Sequence, residues 1–195
     1  GYGSAFVVPR VPHAMLAEAV REGWRRGARG YIADTGPHAG FDAFKVWMLG
    51  QLLWDPERPL EALKDDFFDG WYGPAAPAMR RFFDRCEQAW MAQSGPPWWI
   101  KFYQQQDQVL LYPPELCAEL RALLVEAVEK ARGPDGASSG ASFSARVELT
   151  CRAFAVTEAA VAFDHLRREL SAPETRELPA GELGRRLVAW QRARL

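Results

Sequence analysis

QLLWDPERPLEALKDDFFDGWYGPAAPAM, residues 51 to 79, carries the punctuation that organises the chain. Asp55-Pro56 stops one helix, and Pro59 suits the first turn of the next. Leu60, Leu63, Phe67 and Trp71 then recur at helical spacing until Gly73-Pro74 ends the segment. Asp65, Asp66 and Asp69 fall between them as the solvated face of that helix. A third helix starts near Ala75 and repeats Met79, Phe82 or Phe83, Cys86 and Trp90.

Working toward the N-terminus, a helix covers about Phe41 to Trp54, and Leu16, Val20 and Trp24 mark an amphipathic one from His13 to Arg26. Ala5-Phe6-Val7-Val8 suits a strand or an extended loop. Gly27 and Gly30 close the first helix, Tyr31-Ile32-Ala33 is a short β-type run, and Asp34-Thr35-Gly36-Pro37-His38 is a loop by composition. Helix, glycine, short buried strand and polar loop together resemble the last step of a (β/α)₈ barrel.

Toward the C-terminus, Gln93 to Tyr112 reads as a long ordered connection with room for one short helix. Pro113-Pro114-Glu115 opens a helix striped by Leu116, Leu120, Leu123 or Leu124, and Ala127, and Gly133-Pro134-Asp135-Gly136 ends it. The longest helix follows, from about Ser142 to Leu170. It carries Val147, Phe154 and Val161 on one side and Leu149, Val156, Phe163 and Leu170 on the other, the pattern of a helix sandwiched between neighbours. A last helix, about Ala180 to Leu195, bears Leu183, Leu187 and Trp190 among arginines. From Ala75 onward the expected form is an antiparallel helical bundle.

Composition narrows the function classes. The 195 residues include 24 basic and 25 acidic side chains, which gives no general electrostatic case for nucleic acid or an anionic membrane. The arginines near the end, Arg185, Arg186, Arg192 and Arg194, fit a solvated helix face. No apolar run reaches the roughly 18 to 20 residues that span a bilayer. No basic and apolar leader stands at the start, and Gly1 occupies the place of an initiator Met, as in a piece of a longer protein. Cys86, Cys117 and Cys151 are far apart, without a C-x-x-C or Cys/His cluster, so no metal or disulfide framework is expected and buried thiols are. No motif implies a cofactor: Walker, dinucleotide, H-E-x-x-H and G-x-S-x-G patterns are all missing. Eight Trp and eleven Phe are a heavy aromatic load, mostly core filler, with sugar-stacking platforms as the alternative use.

Asp34 is the first candidate site residue, because it would lie at the carboxyl end of a barrel strand, where barrel enzymes place their chemistry. It could be one of the two carboxyl groups of glycoside hydrolysis, hold a sugar hydroxyl, or simply serve the turn before Thr35-Gly36. His38 could hydrogen-bond substrate or sit in a surface loop. Asp42 suits a helix N-cap or a cleft wall. Trp98 and Trp99, behind Pro96-Pro97, could stack on sugar rings or wedge the connection onto the bundle. Tyr103 and Gln104 to Gln106 add hydrogen-bonding capacity nearby. No catalytic pair can be named.

The elements Leu52-Leu53-Trp54-Asp55-Pro56, Leu63, Asp66-Phe67, Tyr72-Gly73 and Ala75-Ala76 resemble the region after the barrel in glycosidase-like bacterial proteins related to α-glucuronidases. Many of those proteins are described only as a domain of unknown function. The resemblance covers roughly Pro12 to Trp90. It implies that catalytic acids lie on earlier strands, upstream of Gly1, in an intact barrel domain that this chain completes. The expected fold is therefore mainly α, with residues 1–73 as the barrel-terminal region and 74–195 as the bundle. The expected function is the C-terminal part of a glycoside hydrolase-like protein acting on polysaccharide, its helices bracing the barrel. Two alternatives differ in class: a non-catalytic helical interaction module that binds a protein partner, and a carbohydrate-binding module built on Trp98 and Trp99. Substrate sugar, compartment and oligomeric state carry no signal in the sequence.

Overall fold

A computed structural model of the chain describes residues 7–33, 39–92, 106–132 and 138–171, together with Glu182 and Arg185. Helices α1 (His13–Arg25), α2 (Ala39–Trp54), α3 (Leu60–Tyr72), α4 (Ala76–Met91), α5 (Pro114–Arg132) and α6 (Ser138–Ser171) follow one another, with 3-10 turns at Gly73–Ala75 and Gln106–Leu111. The described residues contain no strand, so the mainly α expectation stands.

The turn between α2 and α3 shows why its sequence is so legible. Asp55 accepts the Glu57 N–H on its carboxylate at 3.1 Å, a side-chain mimic of a backbone turn. Pro59 occupies the N-cap position of α3 in extended conformation, one place earlier than a first-turn proline, and its carbonyl accepts the Leu63 N–H at 3.1 Å. At the far end Gly73 takes φ +53°, which few side chains tolerate, and its N–H returns to the Asp69 carbonyl. A Cβ there would also strike the Phe143 ring at 2.6 Å.

Ion pairs between neighbouring helices record the antiparallel order. Arg81 meets Glu126 and Arg85 meets Glu119 across α4 and α5. On the next pair, Arg121 grips Glu158 while the Ser144 hydroxyl donates to the Ala131 carbonyl, so α6 ascends as α5 descends. These contacts are exposed or half-buried and set register more than stability.

Among the described residues, stability comes from one apolar core to which helices α1 to α6 all contribute, together with Val8 and Val11 from the segment before α1. Phe44, Phe67, Phe68, Phe82, Phe83 and Phe154 form a chain of tilted and edge-to-face rings that runs from α2 through α3 and α4 to α6. Such geometries suit the aromatic quadrupole. Tyr72 is buried among them, its hydroxyl 3.3 Å from Thr150 Oγ1, and burial pushes its pKa up to about 12. Val8 and Val11 reach the core on irregular backbone, and the Tyr112 hydroxyl pins that segment by donating to the Pro9 carbonyl at 2.6 Å.

Three expectations need correction. The inward face of α1 carries His13, Leu16, Ala17 and Val20, whereas Trp24 at the end of the expected stripe is half exposed. The sandwich expected for α6 holds on one side only. Val147, Phe154 and Val161 are buried, but Leu149, Val156 and Phe163 are 44%, 53% and 64% exposed, because no described element covers them. Tyr31-Ile32-Ala33, expected as a short buried strand, is irregular and exposed, with Ile32 at 99%. A strand needs a neighbour for its backbone groups, and none stands beside this run among the described residues.

Candidate functional site

The four residues singled out from the sequence, Asp34, His38, Trp98 and Trp99, lie outside the described residues, as do Tyr103 and Gln104 to Gln105. Asp42 is described and is no N-cap: it sits in the first turn of α2, 2.5 Å from Lys45 Nζ one turn on. Asp65, Asp66 and Asp69 form the exposed side of α3 as expected, with Asp65 paired to Arg80 and Asp66 to Arg58.

The densest set of functional groups is one that sequence reading missed. It surrounds the start of α1. Pro12, at the N-cap position, has no side chain to satisfy the first N–H groups of the helix. Glu87 of α4 does so instead, accepting the Ala14 N–H at 2.7 Å with Oε1. A carboxylate at a helix N-terminus also meets the positive end of the helix dipole. The other oxygen of Glu87 is 3.4 Å from Lys64 Nζ, which lies 2.8 Å from Asp84 and 3.5 Å from Glu61. Burial works against the Lys64 ammonium, but Asp84, Glu87 and Glu61 outweigh it and hold its pKa above the ordinary value. A sequence signal existed: Lys64 is the one basic residue on α3, flanked by the buried positions Leu63, Phe67 and Phe68.

Beside this cluster stands His13, 1% exposed, its ring edge-on to Phe44 at a centroid distance of 4.7 Å. Burial, with Lys45 and Lys64 nearby, pushes its pKa well below the usual imidazole value, and its Nε2 has no hydrogen-bond partner. The imidazole is therefore neutral and the ammonium charged. That arrangement clamps α1 onto α3 and α4; a fully protonated Lys64 offers no general base. Arg21 fixes the other half of α1 by donating to the Pro56 and Arg58 carbonyls, both at 2.9 Å. Helix α1 is thus fastened to the α2–α3 turn and to α4 by polar groups.

The buried histidine makes stability depend on pH. Unfolded His13 titrates near 6.5, folded His13 far lower, so below 6.5 the unfolded chain binds the extra proton. Stability contributed by the neutral imidazole is complete above pH 6.5 and falls as the pH drops toward the folded value, by up to about 1.4 kcal/mol per pH unit. Urea titrations at pH 7.0, 6.0 and 5.5 should show this slope, and His13→Leu should remove most of it. Identical pH profiles for the two proteins would show that His13 is not the group responsible.

Cysteine chemistry is not primed. The three thiols are free; burial pushes Cys86 and Cys151 up and Cys117 to about 11, so each is held as the unreactive thiol. Among the described residues no three His, Cys, Asp or Glu side chains gather to hold a metal ion, and no described helix is long and apolar enough to cross a membrane. One open groove of about 400 Å³ lies between α5 and α6, lined by Cys117, Ala118, Val161, Ala162 and His165, with Arg121 and Glu158 already engaged with each other on its wall.

A family model described as "Domain of unknown function (DUF4838)" matches residues 5–84, under half of the chain. That stretch runs through α1, α2 and α3 and the first half of α4, and it contains the LLWDP turn and, of the clamp on α1, His13, Arg21, Lys64 and Asp84 but not Glu87. The resemblance to a domain family of unknown function thus rests on those residues. No curated protein and no solved structure matches the chain.

Proposed function

We propose that this chain is the C-terminal part of a glycoside hydrolase-like protein acting on polysaccharide, its helices bracing a barrel that lies upstream. One observation carries the reading. Helix α2 is apolar on two opposite sides: Phe41, Phe44, Met48 and Leu52 face the core, yet Val46, Gly50, Leu53 and Trp54 face outward. A helix of that kind belongs in the interior of a larger body. In a (β/α)₈ barrel the helices pack on the strands by one face, which is what the outward side of α2 is suited to do. Tyr31 and Ile32, exposed just before α2, have the composition of a strand that lacks its neighbour. The resemblance to proteins related to α-glucuronidases supplies the reaction class. On that reading the paired carboxylates come from upstream strands, and Asp34 meets them from the last one.

The test starts with the coding sequence upstream of Gly1. An open frame of roughly 300 residues with alternating strand and helix patterns is the expected result. The longer protein so encoded is assayed for reducing-sugar release from plant and bacterial polysaccharides, beside its Leu53→Glu variant. Hydrolysis, together with a melting temperature lowered by the substitution in the longer protein but not in the 195-residue chain, supports the reading. No hydrolysis, or a Leu53→Glu substitution as harmless in the longer protein as in the short one, overturns it.

A further inference from the structure

We propose that α1 is an acid-operated latch: proton uptake by His13 frees residues 13–26 from α2, α3 and α4 while the rest of the bundle keeps its fold. His13 is the first residue of α1, its ring edge-on to Phe44 at 4.7 Å and tilted against Phe83 at 6.3 Å. A neutral ring fits between two phenylalanines. An imidazolium does not, because its Nε2 finds no acceptor there.

The charges around the ring come from each neighbouring element. Lys45 stands on α2, tied to Asp42, and Lys64 on α3, held by Glu61, Asp84 and Glu87. Arg10, on the segment before α1, donates to Gln108 at 3.1 Å. Glu87 of α4 reaches the same helix end, but one of its oxygens takes the Ala14 N–H and the other Lys64. Protonation therefore sets a third positive charge beside two ammonium groups.

Helix α1 can leave without dismantling the core. The ring chain from Phe44 through Phe68, Phe83 and Phe82 to Phe154 has no member on it. His13 and Ala17 are its fully buried residues, while Leu16 and Val20 are partly covered. Its start has neither a capping side chain nor an acidic first turn of its own and depends on Glu87. Past its end Gly27 takes φ +91°, and residues 24–33 are all exposed, which makes a hinge and a tether. Before it, buried Val8 and Val11 and the Tyr112 hydroxyl on Pro9 make a fixed anchor. Opening between anchor and tether breaks the two Arg21 bonds to the α2–α3 turn as well.

The sign follows from where the ring titrates. Released into water, it takes up a proton near pH 6.5. In the closed latch burial, with Lys45 and Lys64, keeps it neutral to a far lower pH. The latch has its full strength above pH 6.5, and below it the opening equilibrium rises about tenfold per pH unit. Global unfolding carries the same proton dependence, so the extent of the opening separates the two. Neither the latch nor its test requires a barrel upstream.

Hydrogen exchange of the whole chain at pH 7.0, 6.0 and 5.5, with and without dilute urea, provides the test. After correction for the intrinsic exchange rate, the amides of residues 14–25 should open at least about tenfold more often than those of α4 and α6. Their opening should respond little to urea, whose effect scales with the surface exposed. It should rise about eightfold from pH 7.0 to 5.5. His13→Leu should abolish that rise, whereas Glu87→Ala should open α1 further at every pH and leave the rise in place. Exchange of α1 only together with α4 and α6, at the same urea dependence, overturns the proposal. So does an opening of α1 that ignores pH, or a rise that survives in His13→Leu. A rise lost in Glu87→Ala would move the titration to that carboxylate and overturn it too.

Discussion

Phe154→Ala should destabilise the chain by about 3–5 kcal/mol, and Phe82→Ala by a similar amount. Both rings are fully buried, and they meet edge to face at 5.4 Å, joining α4 to α6 across the middle of the bundle. The Arg121 guanidinium lies 5.5 Å from the Phe154 centroid, so truncation there also removes a cation–π contact. The double variant should cost less than the sum of the two, by about 0.5–1.5 kcal/mol, the part owed to the ring pair itself. Urea midpoints at constant slope measure all three. Val125→Ala, at a half-exposed position, provides the baseline. Equal and small losses at Phe82, Phe154 and Val125 would mean that the core drawn here is not the core that folds the protein.

Those two phenylalanines were not equally visible in the sequence. Phe154 stood out because Val147, Phe154 and Val161 repeat every seven residues, while Phe82 competed with Phe83 for the same role and both turned out to be buried. Helix α3 could be read almost to the residue, since Asp55-Pro56, Pro59 and Gly73 act through local backbone geometry that needs no tertiary context. Burial is not local in that sense. Trp24 continues the stripe of Leu16 and Val20, yet it faces out because α1 is turned by its two clamps, Glu87 at one end and Arg21 at the other. The clamp itself escaped notice for a related reason. Lys64 reads as one more charge on a charged helix, and only the fold brings Asp84 and Glu87 from α4 to neutralise it. The candidate sugar-binding residues rest on local signals, Asp34 on its place at the carboxyl end of an expected strand, His38 on the loop that follows, and Trp98 and Trp99 on the prolines before them. A glycosidase site takes its residues from several strand ends, and on the proposed reading all but the one before Asp34 belong to the upstream part, which leaves the sequence with half a pattern.

Two glycines on α2 should respond to the same substitution with opposite sign, and the pair separates what is packed now from what awaits a partner. Gly40→Ala places a Cβ 2.7 Å from that of Ala153 and 3.0 Å from the Leu149 carbonyl oxygen. A backbone carbonyl inside α6 cannot swing aside as a long side chain can, so α2 and α6 must separate. The Thr150 hydroxyl, which donates to the Gly40 carbonyl at 3.0 Å, is stretched with them. Overpacking of this kind costs about 1–3 kcal/mol, enough to outweigh the ~1 kcal/mol by which alanine is the better helix former. Gly50→Ala meets nothing within 4 Å and should simply gain that helix propensity, raising the urea midpoint of the 195-residue chain. Gly50 also lies between Val46 and Leu53 on the outward face of α2. If an upstream barrel packs there, the added methyl group meets a neighbour in the longer protein, and the gain shrinks or reverses. Measured in both lengths, Gly40→Ala should destabilise each, while Gly50→Ala should stabilise only the short one. A gain at Gly50 that survives unchanged in the longer protein would leave the outward face of α2 without the barrel proposed for it.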